Sequence, residues 1–132
     1  MLKENGIPFH PESYLTGDYR EKSGYQAAKL LLIGERLPQA LVCANDNMAI
    51  GAMRALREAG RRIPEDCSVI AIDGLTVSDY INPTLTTLCQ PMEHMGRRSV
   101  EILLDMVEHR GGPIRETAHT TLRTGESVRD IS

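Results

Sequence analysis

The alternation of short apolar runs with segments of helical period constrains this chain more than any other feature. Residues 40–44 (ALVCA) and 68–72 (SVIAI) are continuous apolar runs; Pro38 and Asn45-Asp46 bound the first, and Asp73-Gly74 ends the second. Runs of that length between turn formers read as strands buried on both faces of a sheet. Between them Met48, Ala52, Ala55, Leu56 and Ala59 recur on one helical face, with Asp46 placed to cap the helix and Gly60 to stop it. Residues 85–88, after a turn at Asn82-Pro83, read as a third strand, and residues 117–124, with Leu122 among polar neighbours, as a weak edge strand. Strands joined through helices imply a mostly parallel open sheet with helices on both faces, an α/β fold.

The remaining segments fit that frame. Residues 2–6 read as the last turn of a helix ended by a left-handed Gly6, and a short extended piece over 14–16 leads into a Gly17-Asp18-Tyr19 loop. Ser23 is placed to cap a helix running to about Leu37, with Tyr25, Ala28, Leu31 and Leu32 on its apolar side. Pro91 suits the first position of another helix, striped by Met92, Met95, Ser99, Ile102, Leu103 and Met106 and ended by Gly111-Gly112-Pro113.

Composition narrows the function. A chain of 132 residues makes one domain able to bury about two thirds of its unfolded surface. Its net charge of −3, with no Trp and one Phe, offers neither the positive field nor the stacking rings that collect nucleic acid. The Arg61-Arg62 and Arg97-Arg98 pairs read as solvated faces. Cys43, Cys67 and Cys89 are odd in number and lack metal-type spacing, which fits a reducing compartment with no disulfide framework, zinc site or cofactor. No apolar leader follows Met1 and no run approaches a membrane span, so the expectation is a soluble, cytoplasmic protein without a membrane partner.

Polar residues gather where the strands end. In an open parallel sheet ligands bind beyond the carboxyl ends of the strands. Asp18 and Tyr19 follow the first extended piece, Asn45 and Asp46 the next strand, Asp73 the third and Gln90 the fourth. Carboxylates and amides pair with neighbouring hydroxyls, and an aromatic ring covers the apolar face of a sugar or purine, so a polar small molecule suits this set. Catalysis does not. None of His10, His94, His109 and His119 ends a strand or pairs with a Ser or Cys in a nucleophile motif, and no phosphate-binding glycine loop is present.

The consecutive runs PQALVCANDNMAIGAMRALREAG (38–60), IPEDCSVIAID (63–73) and PTLTTLCQP (83–91), followed by Met95-Gly-Arg-Arg, resemble the effector domain of LacI/GalR transcription regulators. Gly17-Asp-Tyr and Ser23-Gly-Tyr fall in the same order, so the likeness spans nearly the whole chain. It implies a periplasmic-binding-protein-like type I fold, in which two lobes close on an effector and a separate head reads DNA. On that resemblance Asn45 and Asp73 hydrogen-bond the effector, Tyr19 stacks on it, Gln90 lies by the hinge, and Asp46 either caps its helix or joins the effector site. Ile50, Arg54, Leu75 and Tyr80 correspond to the surface through which family members form homodimers.

The resemblance also divides the chain. Residues 1–90 correspond to the C-terminal lobe without its first strand, 91–113 to a crossover helix that packs on the other lobe, and 114–132 to a return segment. The other lobe and the DNA-binding head precede the position matching Met1, so effector binding by this chain alone is expected to be weak or absent. Two further readings remain: a lobe of a periplasmic sugar-binding or other solute-binding protein, and a nucleotide- or phosphate-handling enzyme of doubly wound fold.

Overall fold

The computed structural model describes residues 3–7, 13–34, 37–108, 110 and 115–131. Four strands form one sheet in the order β1 (Ala40–Val42), β2 (Ser68–Asp73), β3 (Thr86–Cys89), β4 (Thr121–Arg123). The first three are parallel and β4 is antiparallel to β3, so the sheet is open and mostly parallel. Three helices accompany it: α1 (Glu21–Ile33), α2 (Asp46–Glu58) and α3 (Met92–Val107). The expected α/β class holds, as do the left-handed Gly6 after a short 3₁₀ turn over Lys3–Asn5 and the left-handed Gly60 after α2.

The core lies between α2 and the sheet. Ala49, Met53 and Leu56 of α2 pack on Val69 and Ala71 of β2, with Ile63, Cys67 and Leu85 completing the cluster. α1 does not cover the opposite face of the sheet; it stacks on α2 through Ala28, Ala52 and Ala55, with Leu41 and Cys43 packed against the same group. Small residues permit this approach. A methyl at Gly24 would run into the backbone of Met48, and one at Gly51 into the Glu21 carbonyl and the Tyr25 amide. Beyond β4 the chain returns to the sheet, where the Ser127 carbonyl accepts from Val69 N–H (2.8 Å) and its Oγ accepts from Thr86 N–H (2.8 Å).

Several expectations need correction. The run at 40–44 gives a three-residue strand at the sheet's edge, with Val42 80% exposed, because among the described residues β2 alone pairs with it. The 14–16 piece joins no sheet; among the described residues no strand lies on the outer side of β1 to pair with it. α1 starts at Glu21 behind Arg20, so Ser23 sits inside its first turn and bonds back to the Arg20 carbonyl instead of capping. α1 closes at Ile33, short of Leu37. Pro91 is the residue before α3 and not its first. The Gly111-Gly112-Pro113 stop lies outside the described residues, as do His10 and His109.

α3 stands apart from the core. None of its residues is buried, and Met92, Met95, Val100, Leu103, Leu104, Met106 and Val107 are exposed. Its apolar stripe is the one the sequence spacing anticipates, but within the described residues nothing covers it.

The helix pair yields a test. Alanine normally improves on glycine inside a helix by about 1 kcal/mol, whereas overpacking a tight contact costs ~1–3 kcal/mol. Gly51→Ala is expected to lose, with a urea midpoint below the parent's; a midpoint at or above the parent's would contradict the close α1–α2 contact.

Candidate functional site

The strand ends that the sequence singled out do meet. Val42 sits opposite Ile70 in the β1–β2 register, and one more bond, Cys43 N–H to the Ile70 carbonyl (2.8 Å), extends the pairing to two residues before Asn45. Asp73 is the last residue of β2 and pairs in register with Cys89, placing Gln90 beside it. Two polar pairs result. Asn45 Nδ2 donates to the Tyr19 carbonyl (2.9 Å), and Gln90 Nε2 donates to Asp73 Oδ1 (3.1 Å).

Asn45 also accepts the Met48 N–H at Oδ1 (2.9 Å), so Asn45, and not Asp46, caps α2. The reason lies across the fold. Asp46, fully buried as the first residue of α2, turns its carboxylate toward the segment after β2. Oδ2 accepts from Leu75 N–H and Ser78 Oγ, both at 2.7 Å, and Oδ1 accepts from Thr87 Oγ1 at 2.5 Å. With those donors taken up, its side chain serves neither as cap nor as an open ligand contact. Ser78 and Thr87 were not foreseen; two consecutive Thr in a strand that is otherwise apolar were the available signal for a buried acceptor.

Backbone strain marks the same rim. Tyr19 has φ 66° and Asp73 φ 133°, both in the region that favours glycine, and Gly74 follows at φ 80°. Such conformations persist only where surrounding contacts hold them, and they concentrate at ligand sites. A side chain at Gly74 would collide with Cys89. Tyr19 stays 66% exposed.

The residues that the resemblance assigns to dimerisation lie on two segments. Ile50 and Arg54 lie one turn apart on α2, and the segment after Asp73 is bonded to the same helix. It is tied to Asp46 at the helix start and to Arg57 near its end, whose Nη1 donates to the Asn82 carbonyl at 2.7 Å. Tyr80 is 83% exposed and Leu75 half-buried. Arg54 is engaged within the chain, with Glu58 at 2.8 Å and the Tyr25 ring centroid at 5.6 Å.

The chemistry of the rim favours holding over transforming. Burial, with Cys67 nearby, pushes the Cys43 thiol up to about 12, and burial pushes Cys67 up to about 11, so neither supplies a thiolate nucleophile near neutrality. His94 and His119 are exposed, and neither pairs with a nucleophilic Ser or Cys among the described residues. Among the described residues no cluster of His, Cys, Asp and Glu could hold a metal ion, and no helix is long and apolar enough to cross a membrane. Two shallow surface depressions lie at the start of α3, directly after Gln90 (Pro91, Met92, Glu93, His94, Arg97), and beside Arg57, Arg61 and Pro83.

The chain matches the family model of the periplasmic binding protein-like domain over residues 1–128. It therefore belongs to that family, in the form found as the effector-binding domain of LacI-type regulators. It is 37% identical over 115 residues to the HTH-type transcriptional repressor PurR of Haemophilus influenzae, a match covering 87% of this chain and 34% of the repressor. The chain thus spans about a third of the length of that curated relative. In structure it is similar to the transcriptional regulator CelR in complex with cellobiose, with a TM-score of 0.89 at 34% identity, over 96% of this chain and 39% of CelR. A LacI family regulator from Enterococcus faecium with bound ribose gives a TM-score of 0.82 at 30% identity, over 99% of this chain and 48% of that one. These relatives are transcription regulators.

Electrostatics at the rim can be tested by pH. Burial first, then the charge of Asp46, holds the Asp73 carboxyl above its ordinary 3.8, with the Gln90 bond opposing. The folded chain keeps that proton to higher pH than the unfolded chain, so the stability it lends is lost as pH rises through the raised value. Asp66 acts in the opposite sense: hydrogen bonds from Arg62 hold it near 2, so its contribution is present above 3.8 and lost as pH falls toward 2. Asn at position 73 can still accept from Gln90. Asp73→Asn is expected to raise the urea midpoint at neutral pH and to match the parent in acid; a lower midpoint at neutral pH would contradict the burial of that charge.

Proposed function

We propose that this chain forms one wall of the effector site, and the dimerising surface, of a LacI-type transcription regulator that responds to a sugar or related metabolite. The observation that carries this reading is the placement of Asn45, Asp73 and Gln90 just beyond or at the carboxyl ends of β1, β2 and β3, with the loop residue Tyr19 held by Asn45. In an open, mostly parallel α/β sheet that is where ligands seat. An amide, a carboxylate and an open aromatic face suit a polyol better than an ion or an apolar guest. The sugars bound by the CelR and Enterococcus faecium regulators point the same way.

In this reading residues 1–90 act as the effector lobe, 91–113 as a crossover helix and 114–132 as the return segment. Binding shifts the lobe's closure, and a homodimer assembled through Ile50, Arg54, Leu75 and Tyr80 passes the change to DNA-reading heads. No bond is made or broken, no cofactor is needed, and the protein works in the cytoplasm where its operator lies.

A wall open to solvent cannot bury the 70–90% of a ligand's surface that tight sites enclose. Calorimetric titration of the chain with ribose or cellobiose is therefore expected to give a dissociation constant near or weaker than about 1 mM. Micromolar binding, or binding that survives Asp73→Ala, would contradict the assignment. For the second surface, sedimentation equilibrium is expected to show a dimer that Tyr80→Glu weakens by at least roughly 10-fold, as loss of an interface aromatic does. A parent chain that stays monomeric, or a variant that dimerises unchanged, would remove these residues from the interface.

A further inference from the structure

The segment from Gly74 to Tyr80 is gripped from two sides. From α2, Asp46 holds Leu75 N–H and Ser78 Oγ at 2.7 Å each. From β4, Arg123 Nη2 donates to the Leu75 carbonyl (2.8 Å) and Nη1 to Asp79 Oδ2 (3.1 Å). Both polar groups of the Leu75 backbone are thus fixed by side chains from distant parts of the sequence.

Thr87 joins the two grips. It lies opposite Arg123 in the antiparallel β3–β4 pair, donates to Asp46 Oδ1 at 2.5 Å, and accepts Gly74 N–H at 3.2 Å. Directly opposed residues of such a pair share one face of the sheet. Asp46 and Ser78 are fully buried, and Arg123 Nε is buried without a hydrogen-bond partner among the described residues. A turn without function does not require a buried carboxylate and an incompletely satisfied guanidinium, since both carry a desolvation cost.

We propose that Asp46 and Arg123 are positioning residues that hold the partner-facing segment, with Leu75 and Tyr80, in fixed register with the pocket residue Asp73. Asp73 is the residue before Gly74, so the clamp makes the rim residue Asp73 and the surface carrying Tyr80 neighbours in one rigid unit with α2 and β4. This inference rests on reading the segment as an interface, and its test is separate from that of the interface.

The experiment is amide hydrogen exchange and carboxyl-carbon titration by NMR on the full chain, without ligand, for the parent, Asp46→Asn and Arg123→Gln. In Asp46→Asn the Leu75 amide is expected to exchange at least roughly 10-fold faster, while Val69 and Ala71 in β2 stay within about two-fold of the parent. Asp46 is the charged group facing Asp73 and Gln90 the neutral one. Asp73 should therefore titrate at lower pH in Asp46→Asn and unchanged in Arg123→Gln, an asymmetry that general loosening would not produce. In Arg123→Gln the Ser78 and Tyr80 amides are expected to quicken, again without change in β2.

An unchanged Leu75 amide, or β2 amides that quicken in step with it, would overturn the clamp. If Asp46→Asn does not fold, Arg123→Gln decides alone: faster exchange confined to 75–80 supports the clamp, and parent-like exchange overturns it. Failure of the interface reading shows instead as unaltered sedimentation of Tyr80→Glu, whatever the exchange data give.

Discussion

The buried carboxylate of Asp46 is the interaction on which the functional half of this fold depends. One side chain at the start of α2 ties together that helix, strand β3 and the segment after β2. Removing it would strand a backbone N–H and two hydroxyls in the interior, each at a cost of about 1–3 kcal/mol. Because Asp46 is committed inward, Asn45 takes the helix cap and is drawn to the Tyr19 carbonyl. That commitment also places a negative charge near Asp73, whose own burial already disfavours ionisation. The geometry of the rim follows from where one carboxylate points.

The two halves of the chain are held by different means. α1, α2 and the first strands rest on close packing of small residues, with Gly24, Gly51, Ala28, Ala52 and Ala55 allowing the helices to approach. β3, β4 and the return at Ser127 rest on hydroxyl and carboxylate bonds to backbone groups, such as Ser127 Oγ to the Val69 carbonyl at 2.6 Å. α3 belongs to neither. Its exposed Met, Val and Leu residues leave one stretch of apolar surface open, and among the described residues no strand pairs with the outer edge of β1.

Much of this was legible in the sequence because it rests on local pattern. The apolar face of α2 and the left-handed Gly60 were read correctly, as were the positions of β2 and β3, since periodicity and turn residues report them directly. Burial of β1 on both sides was not legible: an apolar run says that a strand is apolar, not how many neighbours it has. Nor could spacing choose between Asn45 and Asp46 as the cap. Both residue types cap helices, and the choice is made by Ser78 and Thr87, 32 and 41 residues away from Asp46. The grip of Arg123 on Leu75 spans 48 residues and left no local trace. Within the candidate site, the membership of Tyr19, Asn45, Asp73 and Gln90 came from strand ends and family likeness; their pairing came only from the fold.

The central claim is that the strand-end rim is where this chain meets its effector. Amide and side-chain chemical-shift mapping of the full chain with ribose, alongside a purine base as comparison, tests it most directly. The account expects ribose to shift Tyr19, Asn45, Asp73 and Gln90 together, with α3 and the Arg57 to Pro83 side unmoved. Shifts confined to those other surfaces, or none at all at saturating sugar, would contradict it.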